Sequence, residues 1–255
     1  MVRGLDLFKE YFKDFTNQYV LIGGAACTTV MEESGLDFRA TKDLDIVLCV
    51  EALHTDFVQH FWDFIIKGGY KNQQKSTGRK LFYRFDDPED ASYPVMLELF
   101  SRTPDALSLS AGSHLTPIPV DEHVESLSAI LLDDDYYRFI HEGKREIAGL
   151  SVVAPQYLIP LKARAWLDLT GRRSTGEHID EKDIRKHRND VFKLFRIITS
   201  DDSVALPGSI GPDLRKFLDA MAQDSSLNLQ ALELRNTTLE EVLGALRKIY
   251  GLTPQ

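Results

Sequence analysis

The run Asp43-Leu44-Asp45-Ile46-Val47-Leu48-Cys49-Val50 leaves the chain few choices. Its apolar and β-branched content is that of a strand with a buried face. In a strand, side chains two apart share a face, about 7 Å between successive same-side positions. Asp43 and Asp45 therefore point together, and Leu44 and Ile46 face the opposite side. Two carboxylates converging on an apolar strand repel each other and resist joint ionisation. A bound divalent cation removes that conflict, and hard oxygen ligands suit magnesium. Asp-x-Asp alone is a weak signal, because most instances are turns or solvated edges. Its surroundings decide.

Upstream, Tyr19–Ile22 is a short apolar strand that ends at Gly23-Gly24, and AACTTVMEES then continues as a helix closed by Gly35. Glycines at a strand-to-helix turn let backbone approach a ligand closely, and a helix N-terminus offers free N–H groups to an anion. A plain turn is the alternative for this pair. Arg39-Ala40-Thr41-Lys42 sets two bases and a hydroxyl just ahead of the carboxylates, where they can steady phosphate or substrate. Downstream, Val95–Ser101 reads as an apolar strand whose acidic residue is Glu98. An ionised Glu there is costly unless it is paired or metal-bound. Three carboxylates on two adjacent strands would hold two magnesium ions about 4 Å apart. A salt bridge to Arg84 or Arg102 is the alternative for Glu98.

Other elements follow from hydrophobic periodicity. Residues 5–16 and 54–67 read as helices, 80–85 as part of a hairpin behind a basic loop (QQKSTG), and 127–132, 136–140 and 145–153 as strands. Asp133–Asp135 reads as a solvated turn rather than a rival metal site, since consecutive carboxylates splay to different sides. After Pro155 the pattern is helical, over roughly 156–169, 180–199, 213–222 and 238–249, the last opening with a capping box at Thr238 and Glu241. The pattern predicts an α/β domain over 1–154 and a helical domain over 155–255.

The net charge of −9 excludes a generally sticky nucleic-acid binder. Two basic stretches stand out against it. Lys67 to Arg84 holds six bases and no acid, and Lys182 to Arg196 holds six bases and two acids. They are either polyanion contacts or solvated faces. No apolar run is long enough for a membrane helix, and the N-terminus does not read as a signal peptide. Cys27 and Cys49 lie in apolar surroundings without metal-type spacing, as expected of buried thiols in a reducing cytoplasm.

In the helical part, Lys162 interrupts an apolar stripe of Leu158, Leu161, Ala165, Trp166 and Leu169. It must snorkel out or meet an anion. Facing the first domain, its ammonium would contact an anionic substrate or offset the carboxylates. Pro160 is expected to kink or shorten the start of this helix. On the next helix Asp180 reads as an N-cap. Asp183, at the edge of an inward stripe that includes His187, would accept a proton, orient Lys162 or bind substrate; a capping role is the alternative.

Together these residues resemble the nucleotidyltransferase superfamily: a Gly-Gly turn into a helix, Asp-x-Asp on a strand, then a later acidic strand. The form Gly23-Gly24-Ala25-Ala26, then Arg39-x-Thr41-x-Asp43-Leu44-Asp45, is similar to the AbiEii-type toxin branch. Leu161-Lys162-Ala163-Arg164-Ala165 and Glu181-Lys182-Asp183-Ile184 fit that branch's two C-terminal signatures, so the resemblance spans about residues 19 to 198. It implies an α/β (α+β) fold, a nucleotidyltransferase mixed sheet with flanking helices, joined to a C-terminal helical bundle. It implies attack of an acceptor hydroxyl on the α-phosphate of a nucleoside triphosphate with release of pyrophosphate. Asp43, Asp45 and Glu98 would hold Mg2+, two ions with Mn2+ as an alternative. Gly23, Gly24, Arg39, Thr41 and Lys42 would bind the nucleotide, and Lys162 and Asp183 would take part in catalysis. A toxin of this branch implies an antitoxin partner, a role in abortive infection and an RNA acceptor such as tRNA, contacted through the basic stretches. An aminoglycoside-like small-molecule acceptor and a non-catalytic nucleotide-binding module of the same fold are the other readings.

Overall fold

A computed structural model describes residues 2–71, 83–103, 115–118 and 127–252, with backbone only for 115–118 and 127–131. The chain divides into two units: Met1–Glu33 with Arg39–Val153, and Ser34–Phe38 with Ala154–Gln255.

The first unit runs α1 (Leu5–Tyr11), a 3-10 turn (Lys13–Phe15), β1 (Tyr19–Ile22), α2 (Gly23–Glu33), β2 (Asp43–Leu48) and α3 (Thr55–Gly68). It continues through β3 (Arg84–Asp86), β4 (Met96–Ser101), β5 (Leu115–Ile118), β6 (Leu127–Leu131), α4 (Asp134–Glu142), β7 (Lys144–Ile147) and β8 (Leu150–Val153). The described strands form one mixed sheet in the order β5-β6-β4-β2-β1-β8-β7, with β3 also paired to β4. β2 is antiparallel to β1 and parallel to β4, and β4 is antiparallel to β3. The mixed α/β architecture expected from the pattern is therefore present.

Register sorts the side chains. Tyr19 and Leu21 share a face with Ile46, Leu44, Leu97, Leu99 and Phe85, all fully buried. This face meets the aromatic residues of α1 and α3: Tyr19 lies 5.4 Å from Phe8, and Phe85 lies 5.5 Å from Phe61, in edge-to-face contacts. Asp43, Asp45 and Glu98 stand on the opposite face, with Val20 and Val47. Helix α2 packs against β1, β2, β7 and β8.

One expected strand is a helix. Residues 136–140 lie inside α4, where Tyr136, Tyr137, Phe139 and Ile140 are buried at helical spacing. The preceding acids are its start signal: Asp133 caps Asp135 N–H at 3.0 Å, and Asp134 and Asp135 occupy the first turn. Tyr137 fixes this helix to the end of β2, its hydroxyl accepting from Val50 N–H and lying 2.7 Å from Glu51. Burial opposes ionisation of Glu51, but hydrogen bonds from Tyr137 and Arg102 outweigh it and hold the carboxyl below its usual range.

The second unit comprises α5 (Pro155–Ser174), α6 (Glu181–Phe195), α7 (Ile210–Ala222), a 3-10 turn (Gln230–Leu232) and α8 (Leu239–Ile249). Helix α5 packs on α6 and α7, and α7 on α8, around Leu158, Ile159, Val191, Phe192, Phe217 and Leu246. Pro160 sits inside α5 without ending it. A proline cannot donate to the carbonyl four residues back. That carbonyl, Gln156 O, instead accepts the buried Tyr250 hydroxyl at 2.6 Å. Asp180 caps α6, and the Thr238–Glu241 capping box opens α8. Among the described residues no helix is long and apolar enough to cross a membrane.

Candidate active site

The glycine turn and the Asp-x-Asp strand meet at the start of α2. Gly23 has a φ of +65°, a left-handed conformation that L side chains rarely adopt. A Cβ added there would lie 1.7 Å from Asp45 Oδ2, so the carboxylate occupies the space a side chain would fill. A Cβ on Gly24 would lie 2.4 Å from Thr41 Oγ1. Two glycines thus bring a carboxylate and a hydroxyl against the first turn of a helix, where N–H groups and the helix dipole favour negative charge. The sequence suggested that these glycines admit a ligand; their first effect is to admit Asp45 and Thr41.

Asp43 and Asp45 are both half-buried, whereas Leu44 and Ile46 between and after them are fully buried. Antiparallel pairing sets Asp45 opposite Ile22, and parallel pairing sets it beside Glu98. Asp43 and Asp45 therefore share one face through their two-residue spacing, and the pairing of β2 with β4 sets Glu98 on that face too. Arg39 is half-buried and Lys42 exposed on the segment leading into β2, and Lys42 O accepts from Val95 N–H at 3.2 Å, tying that segment to β4.

Glu98 meets a cation of the protein itself. Arg84 is its cross-strand neighbour on β3 and contacts Oε1 through Nε at 2.8 Å and through the terminal nitrogen at 2.6 Å. Of the two partners weighed for Glu98, Arg84 is the one present. Among the described residues no group of three His, Cys, Asp or Glu side chains is gathered as a metal centre. The Asp pair nevertheless suits magnesium. It offers only oxygen donors, and the side-chain-free Gly23 leaves one carboxylate room against a helix start.

Lys162 and Asp183 belong to the helical unit. The anion that buried Lys162 meets is Asp190 on α6, at 3.1 Å, with the lysine 3% and the aspartate 0% exposed. Asp190 was not singled out from the sequence. Its signal was there: an acid between His187 and Leu194 on the inward stripe of α6 needs a buried cation. Asp183 is exposed in the first turn of α6 and pairs with Lys186 at 2.9 Å.

Among the described residues, several bases of the two basic stretches are paired internally. In the second, Lys186, Arg188 and Arg196 pair with Asp183, Asp224 and Glu233, and Lys193 lies over the Phe38 ring. In the first, Lys67 bonds the Tyr11 hydroxyl and Arg84 holds Glu98. Residues 72–82, including the expected basic loop, lie outside the described residues.

No family profile matches the chain, and no curated protein matches it in sequence. Solved structures with some similarity to this chain include a candidate nucleotidyltransferase from H. pylori, at TM-score 0.43 and 14% identity, covering 99% of this chain and 97% of that one. JHP933 from Helicobacter pylori is similar at TM-score 0.37 and 14% identity, over 95% and 87%. The Megavirus polyadenylate synthase is similar at TM-score 0.37 and 12% identity; the match covers 87% of this chain but only 36% of the viral enzyme.

Proposed function

We propose that the chain is a metal-dependent nucleotidyltransferase, moving a nucleotide from a nucleoside triphosphate to an acceptor hydroxyl. What supports it most is the seating of Asp45 against Gly23, with Asp43 on the same strand face. Asp43 and Asp45 hold magnesium in this proposal, and Glu98 joins them. A metal held there would supply neutralisation of phosphate charge and a more nucleophilic hydroxyl. The protein's own groups do the rest. Gly23 and Gly24 add no side chain of their own at the start of α2, where N–H groups would take phosphate oxygens beside Asp45 and Thr41. Thr41 and Lys42 immediately precede the strand that carries the carboxylates, a hydroxyl donor and a cation for the triphosphate or the acceptor. Apolar residues behind β2 hold the two Asp side chains in place.

For the acceptor we propose RNA, as the motif resemblance to AbiEii-type toxins implies, with an antitoxin as the partner. Internal pairing of the second basic stretch argues for a narrow contact rather than a broad polyanion-binding face. A triphosphate labelled at the α-phosphate, incubated with RNA pools and with cationic small molecules, tests both parts. Magnesium-dependent label in RNA is expected. Label only in small molecules would remove the RNA acceptor, and label in neither would remove the transfer reaction.

A second reading has one observation of its own. Glu98 is already neutralised by Arg84, as in a module that binds nucleotide without turnover. Tight magnesium-dependent triphosphate binding without label transfer to any acceptor would favour it.

A further inference from the structure

Asp45, Glu98 and Arg84 stand in a row on three neighbouring strands, β2, β4 and β3, with side chains on one face. Neighbouring strands lie about 4.8 Å apart, so the guanidinium shares one patch with the Asp pair. Both Arg84 contacts fall on Oε1 of Glu98. The Arg84 side chain is 44% exposed and that of Glu98 only 12%. The arginine can therefore turn toward solvent at small cost, while the carboxylate stays where it is. A guanidinium also presents a planar fork that fits phosphate oxygens.

Building on the metal-site reading above, we propose that Arg84 is a triphosphate-binding residue that rests on Glu98 until substrate arrives. Three carboxylates on one sheet face repel one another, and Arg84 offsets that repulsion in the metal-free protein. A metal held by Asp43, Asp45 and Glu98 would take over the counter-charge that Glu98 needs, and the guanidinium would be released beside the site proposed for the triphosphate. One side chain then serves as counter-charge before loading and as phosphate donor afterwards. The bland alternative is an exposed cross-strand ion pair that only steadies β3.

Titrating the full chain with Mn2+ by electron paramagnetic resonance, then adding inorganic triphosphate, separates the two. Arg84→Gln removes the competing cation and is expected to tighten Mn2+ binding about threefold to fivefold, the scale of an exposed ion pair. The same variant is expected to bind triphosphate about tenfold more weakly in the presence of Mn2+, as loss of a charge-assisted contact requires. Arg84→Lys, which keeps the charge without the fork, should fall between. A variant whose Mn2+ affinity is unchanged or weaker, or whose triphosphate affinity is unchanged, overturns the proposal. A lowered melting temperature with both affinities unchanged identifies the bland ion pair. If the wild type itself takes up no Mn2+, the metal-site reading fails too; if it does and Arg84→Gln changes nothing, only the role of Arg84 falls.

Discussion

Gly23 shows how one missing side chain can set a site. Its left-handed backbone alone penalises any L residue by about 1–2 kcal/mol. The contact with Asp45 Oδ2 adds a steric demand that only displacement of the carboxylate can relieve. Gly35 provides the control: it is also left-handed, at φ +71°, but a Cβ there meets nothing within 4 Å. Gly35→Ala should lose about 1–2 kcal/mol in urea unfolding, the backbone penalty alone, and Gly23→Ala more than that. Only Gly23→Ala should also weaken magnesium-dependent nucleotide binding. Equal binding by both variants would mean that the approach of Gly23 to Asp45 has no part in the site.

Between elements, the decisive contact in the helical unit is the Lys162–Asp190 pair joining α5 to α6. A buried ion pair gains little over a well-packed apolar pair, yet breaking one partner typically costs about 3–5 kcal/mol because a bare charge stays buried. Lys162→Met should therefore lower unfolding stability by about that much. The double replacement Lys162→Met with Asp190→Leu should recover most of it. A single-variant loss under about 1 kcal/mol, the scale of an exposed pair, would show that the pair does not hold the helices. This pair also marks where sequence reading stops. That Lys162 needed an anion was legible from its apolar stripe. Which anion was not, because Asp190 is distant in sequence and only the packing of α5 on α6 selects it. The same holds for Glu98, whose need for a partner was visible while the choice of Arg84 over Arg102 depends on the pairing of β3 with β4. Helix α4 was misread for a local reason: Tyr136, Tyr137, Phe139 and Ile140 look like an apolar strand until Asp133 is recognised as a cap. The Asp43–Leu48 strand was legible because it alternates through Asp43-Leu44-Asp45-Ile46, its remaining residues are apolar, and its two polar positions share one face.

At the scale of the whole molecule, the chain forms two units, Met1–Glu33 with Arg39–Val153 and Ser34–Phe38 with Ala154–Gln255. The short segment Ser34–Phe38 groups with the helical unit, which periodicity could not reveal because those few residues have none. A net charge of −9, with three of the six bases of the second basic stretch in internal ion pairs, makes a specific carboxylate-bound cation a more natural route to a polyphosphate than a general basic surface. The central claim is that Asp43 and Asp45 hold a metal through which nucleotide binds. Calorimetry with magnesium and each nucleoside triphosphate, on the wild type and on Asp45→Ala, tests it most directly. A metal site at this pair predicts binding that needs magnesium and weakens at least about tenfold in the variant, since even an outer-shell partner of a metal is worth that much. Nucleotide binding that is independent of magnesium and unaffected by Asp45→Ala would contradict it.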